Sequence, residues 1–243
     1  MKPRKFIATG AALSVFALSV GAADIARAES KYPHTVSANV SLATNYMFRG
    51  ISQTDDGLTI QGGFDYENDP YNVYAGAWAA NVDSTSNGYD GASMELDLYA
   101  GWTPSWQNID FDLGYIRYQY PGTDTSENNT DEFHLGLFYD VQDQFTPGYT
   151  AHYSDDFFGG GPAWYHDLSL EIPLPYDFTL AGHYGWNRFN DSTDNYRDYS
   201  IGIATEFSGF EFDLSWIDRS DKEACSAPFQ CGSTAVFKLS KSF

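Results

Sequence analysis

The sequence predicts an all-β protein, a transmembrane up-and-down antiparallel β-barrel of about twelve strands. Three observations point there. Apolar and polar residues alternate with period two along almost the whole chain, as in strands with two unlike faces. The links between these strands are short and long by turns. Aromatic side chains gather near the strand ends.

The first 28 residues read as an export signal: Lys2, Arg4 and Lys5, an apolar run from Phe6 to about Ala22, then Ala26-Arg27-Ala28 as a small-x-small cleavage site. Cleavage leaves residues 29–243 as one outer-membrane barrel domain, with 9 Lys+Arg against 32 Asp+Glu and a net charge of −23. That balance argues against nucleic acid as a partner, because phosphate binding needs clustered Lys and Arg. After the signal no apolar run reaches the roughly 18 residues a helical span requires. The 42 aromatics argue against disorder.

The first strand shows the pattern most clearly. Val36, Ala38, Val40, Leu42, Tyr46 and Phe48 share one face; Ser37, Asn39, Ser41, Asn45 and Arg49 share the other. Then Ile60, Phe64 and Tyr66 oppose Gln61 and Asp65, and Met94, Leu96, Leu98 and Trp102 oppose Glu95, Asp97 and Tyr99. Ile109, Phe111 and Leu113 oppose Asp110 and Asp112, and Phe133, Leu135 and Leu137 oppose Glu132 and His134. Leu168, Leu170 and Ile172 oppose Asp167, Ser169 and Glu171; Phe178, Leu180 and Tyr184 oppose Thr179 and His183. Ile201 and Ile203 lead into Phe210, Phe212, Leu214 and Trp216, and Ala235, Phe237, Leu239 and Phe243 end the chain's last strand. The weaker strands are 72–82, with small residues on both faces, and 146–154, which contains Pro147.

Short links fall at 67–70, 103–108, 140–144, 173–177 and 208–209; long ones at 50–57, 82–92, 121–130, 155–162, 188–196 and 218–232. Short periplasmic turns opposite long external loops have this parity. A soluble exported β-sandwich, the competing fold, has no reason to sort its loops so. Phe64, Tyr66, Trp102, Trp106, Tyr139, Phe145, Phe207 and Phe210 lie near the short links. Tyr46, Phe48, Tyr118, Tyr120, Trp164, Tyr165, Trp186 and Trp216 lie near the long ones. Two aromatic girdles around a lipid band would place them there.

The stretch Met47-Phe48-Arg49-Gly50-Ile51-Ser52-Gln53-Thr54, with Ile60-Gln61-Gly62-Gly63-Phe64-Asp65-Tyr66, resembles the TorF-type family of bacterial outer-membrane porins. Tyr74–Trp78, Glu95–Gly101 and Asp112–Tyr115 through Gly122 are similar to that family as well. The resemblance covers residues 36–140 and implies an outer-membrane barrel with channel function; it implies no catalytic residue, cofactor or solute. The terminal Phe243 looks like the signal such barrels present to their insertion machinery, although Lys241 stands where an apolar residue is usual.

A twelve-stranded barrel is intermediate between side-chain-filled and open ones, so the expected activity is passive diffusion of small solutes through a narrow pore. The candidate lining is Arg49, Asp65, Glu95, Asp97, Asp110, Asp112, Glu132, Glu171, Glu206, Glu211 and Asp213, with Lys238 as a second base. Confined carboxylates attract cations, so cationic or neutral solutes are expected; alternatively the acids form a solvated rim. Arg49, Arg117, Arg188, Arg197 and Arg219 map near the long loops, where they could meet lipopolysaccharide phosphates or acidic loop residues. Cys225 and Cys231 in one external loop favour a disulfide. His134, His152 and His183 fall on the polar face, and Ser154 lies near His152, which leaves a lipid-acting enzyme as an alternative. No G-x-S-x-G, cofactor motif or metal-ligand spacing supports catalysis.

Overall fold

The computed structural model describes residues 34–85, 91–123, 128–189, 195–220 and 231–243. The export segment and Cys225 lie outside these residues. Twelve long strands run in chain order: β1 (His34–Ala43), β2 (Thr59–Asn68), β3 (Val73–Asn81), β4 (Met94–Trp102), β5 (Ile109–Gln119), β6 (Thr130–Tyr139), β7 (Thr146–Ser154), β8 (Ala163–Leu174), β9 (Phe178–Phe189), β10 (Arg197–Phe207), β11 (Phe210–Arg219) and β12 (Thr234–Ser242). Each pairs antiparallel with the next, and β12 returns to β1 with Asn39 opposite Ser242 and Ala43 opposite Lys238. The sheet is therefore a closed up-and-down barrel without a free edge.

The faces follow the alternation. Val36 is 73% exposed, Phe64 68% and Phe133 61%, and Leu98, Leu168, Ile201 and Leu214 join them on the outer wall. Their intervening neighbours, among them Asp65, Asp97, Glu132 and Asp213, are buried inside. A monomeric soluble protein rarely exposes apolar patches beyond a few hundred Å², and here large apolar side chains are exposed on every long strand of the outer wall but β7.

The short links are tight because they use left-handed residues. Ser208 and Gly209 have φ of 55° and 75°, the geometry of a two-residue type I′ hairpin matched to strand twist. Pro147 is tolerated because the β6–β7 register begins at Gly148, so its missing N–H falls outside that ladder. Lys241 faces outward with its amine 4.5 Å from the Phe210 ring and 5.5 Å from that of Phe243. Its charge thus lies among rim aromatics, away from the middle of the wall.

One expected element is different. Alternation carries the first strand to Arg49, but β1 stops at Ala43 and the chain turns into the barrel. Tyr46 and Phe48, expected in an outer girdle, are 1% and 7% exposed. Tyr118, Tyr120 and Tyr165 are buried with them, leaving Phe133, Trp164, Tyr184 and Trp216 as exposed aromatics on that half of the wall. The reason is packing: the inward segment offers apolar surface that the Tyr118 and Tyr120 rings cover, while Tyr165 lies over the Arg49 guanidinium.

Candidate functional site: the barrel interior

After Ala43 the chain forms a small hairpin, Met47–Phe48 against Ile51–Ser52, whose two-residue turn is Arg49 and Gly50 with φ of 47° and 76°. Asn45 ties its base. The Asn45 Oδ1 accepts from the Ser52 and Thr54 hydroxyls at 2.7 and 3.0 Å, and its Nδ2 donates to Asp56 at 2.7 Å. The Asp83 N–H after β3 donates to the Gln53 carbonyl at 2.8 Å. Glycine is required at position 50, since a Cβ there would stand 2.9 Å from the Cβ atoms of Arg219 and Asp198 on the facing wall.

The hairpin tip is fixed by charge. Arg49 Nη1 and Nη2 donate to the two Glu132 oxygens at 2.9 and 2.8 Å, with both side chains at most 3% exposed. The Tyr118 hydroxyl also donates to Glu132, at 3.0 Å, and the guanidinium carbon lies 4.1 Å from the Tyr165 ring centre. Behind the tip, the Tyr46 hydroxyl donates to Glu95 at 3.0 Å and its ring packs edge-on against Trp78. Phe157 and Phe158, from the link after β7, complete the apolar cluster.

Around this plug the wall is polar. Tyr74 donates to Asp112 at 2.9 Å, and His134 lies 3.3 Å from the same carboxylate. Tyr99 donates to Asp65. His183 lies 3.3 Å from both Asp167 and Asp198, and Tyr165 donates to Asp198 at 3.2 Å. Glu95 and Asp97, neighbours on the inner face of β4, are both buried, at 1% and 0% exposure.

All ten candidate lining acids lie on the interior face. Glu95, Asp97 and Glu132 stand in the long-link half with the hairpin. Asp65, Asp110, Asp112, Glu171, Glu206, Glu211 and Asp213 stand toward the short links, where the Lys238 amine comes within 4.0 Å of Glu211. Two arginines depart from the expected external rim. Arg49 is drawn inward by Glu132, and Arg219 is 4% exposed on the inner face of β11 with its guanidinium 3.7 Å from the Tyr196 ring. Arg117 does face outward and pairs with Asp131 at 2.8 Å, while Arg188 and Arg197 are exposed.

Sequence reasoning missed Asp198, although its parity with Ser200 and Gly202 marks it as inward, and missed the part played by Tyr165 and Tyr118. Cys231 is buried and is not a free cysteine. The Ser154 hydroxyl accepts from the Asp156 N–H at 3.3 Å. Among the described residues no group of three or more His, Cys, Asp or Glu is arranged to hold a metal ion.

In shape the barrel is similar to porins. It matches the KdgM porin with a TM-score of 0.58 and 7% identity over 85% of this chain and 98% of that one. A second structure is of the KdgM porin in complex with disordered oligogalacturonate, at 8% identity and the same coverage. The NanC porin gives a TM-score of 0.56 at 8% identity, again over 85% and 98% of the chains. At such identities the likeness is one of fold: a closed twelve-stranded porin-like barrel. No curated protein matches the sequence. The TorF-type resemblance carries only to that coarser, porin-like level. Residues 27–243 match a family described as a bacterial protein of unknown function, Gcw_chp, and the chain belongs to it.

Proposed function

We propose that this protein is an outer-membrane channel for passive diffusion of small solutes, favouring cationic or neutral solutes over anionic ones, and that it is not an enzyme. The observation that carries the reading is the lining: among the described residues the ten candidate acids, with Asp167 and Asp198, face the inside of a barrel whose outside is apolar, against Arg49, Arg219 and Lys238. Fixed negative charge between low-dielectric walls raises the local cation concentration and repels anions. The oligogalacturonate in the KdgM complex is a polyanion, and this lining is opposite in sign to what such a ligand requires. Residues 1–28 serve as the export signal in this reading, Phe243 meets the insertion machinery, and Cys225 bonds to Cys231. Arg117, Arg188 and Arg197 sit where lipopolysaccharide phosphates would be reached.

The test is the reversal potential of the refolded mature protein in planar bilayers under a potassium chloride gradient. Cation preference is expected, and it should weaken when Asp110, Asp112 and Glu211 are changed together to the corresponding amides. Anion preference overturns the charge reading.

A further inference from the structure

The Arg49 guanidinium sits in a receptacle built chiefly by the barrel wall, with the Phe48 ring of its own hairpin 4.8 Å away on one side. Glu132 of β6 meets it with both oxygens, at 2.8 and 2.9 Å, and the Tyr118 hydroxyl of β5 holds that carboxylate at 3.0 Å. Tyr165 of β8 presents its ring face 4.1 Å from the guanidinium carbon, and Phe157 lies 5.4 Å away on another side. Glu132, Tyr118 and Tyr165 are fixed by strand ladders and at most 2% exposed. A carboxylate fork in the plane of the cation and an aromatic face beside it match what a guanidinium offers, two parallel donors and a weakly hydrated flat surface. Arg49, by contrast, arrives on a two-residue turn, Arg49 and Gly50, with φ of 47° and 76°.

We propose that this receptacle is a binding site for solutes bearing a guanidinium group, and that Arg49 is its tethered internal occupant. The inference rests on the channel reading and narrows it. The hairpin fills the passage with a copy of the group the passage selects, and an incoming guanidinium takes over Glu132 as Arg49 leaves. A primary ammonium fits less well, being a compact point charge that does not present two parallel donors to the carboxylate.

The test uses the refolded mature chain carrying Arg49→Ala, with methylguanidinium chloride as the probe. By titration calorimetry in detergent, R49A is expected to bind methylguanidinium saturably and more tightly than the unaltered chain. Adding Glu132→Gln should weaken that binding about tenfold or more, the scale of a charge-assisted hydrogen-bonded pair. Methylammonium should bind less tightly than methylguanidinium. In planar bilayers R49A should conduct potassium better than the unaltered chain and lose that current as methylguanidinium is added. Absence of saturable binding to folded R49A, equal binding by R49A/E132Q, or equal binding of methylammonium overturns the inference. Binding without conductance in either protein supports the receptacle and removes the channel reading. Conductance without binding does the reverse. If R49A does not fold, Arg49→Lys keeps the charge and lacks the fork: saturable methylguanidinium binding that displaces the substituted side chain from Glu132 supports the proposal, and its absence overturns it.

Discussion

Glu132 carries two obligations at once, neutralising Arg49 and accepting from Tyr118, in a place with almost no access to water. Removing one member of such a pair leaves the other charge buried and unpaired, which costs more than the pair contributes when intact. Glu132→Ala is therefore expected to destabilise the folded barrel by about 3–5 kcal/mol. R49A/E132A should recover much of that loss, since the two side chains act as a unit. Urea unfolding in lipid vesicles, followed by tryptophan fluorescence, measures both; an additive cycle would contradict the coupling. The inward direction of Glu132 is legible in the sequence, because Phe133 and Leu135 must face out. Its partner is not, because the two are 83 residues apart and only the three-dimensional path of the hairpin joins them.

At the scale of strands, β3 and β4 interlock through glycine. A Cβ on Gly101 would run into the Tyr74 ring, and one on Gly76 would run into the ring of Tyr99. Each tyrosine lies over the glycine of the neighbouring strand, and their hydroxyls reach Asp112 and Asp65 respectively. Gly101→Ala should force Tyr74 off its carboxylate and cost about 1–3 kcal/mol, the usual range for overpacking. A lowered temperature for loss of the compact gel band would register it; an unchanged one would mean that the ring has room to shift. Strands and their faces were legible because period two persists for ten residues or so at a time. The end of β1 was not, since Asn45 to Arg49 keeps alternating after the strand has ended. Alternation reports two unlike faces and is silent on whether the apolar one meets the outside or a cluster within.

For the molecule as a whole, closure pairs every long strand on both edges while the outer wall carries exposed apolar side chains. Such a barrel is expected to need detergent or lipid and to migrate faster on gels before boiling than after. A mature chain that is monomeric and soluble without surfactant would remove the membrane reading and the transport function with it. Strand number and loop parity were legible at this scale because links of unequal length punctuate the chain. The filling of the interior was not, for it depends on one segment crossing from its own strand to several others.

That crossing has a mechanical consequence. Tyr46 bonds to β4, Arg49 to β6 while lying against β8, and Gly50 abuts β10 and β11. A hollow hoop of twelve staves flattens easily, because backbone ladders resist shear between neighbours far better than they resist ovalisation. A strut fastened to several widely separated staves keeps the cross-section round, so withdrawing the hairpin would unblock the bore and at the same time soften the cylinder around it.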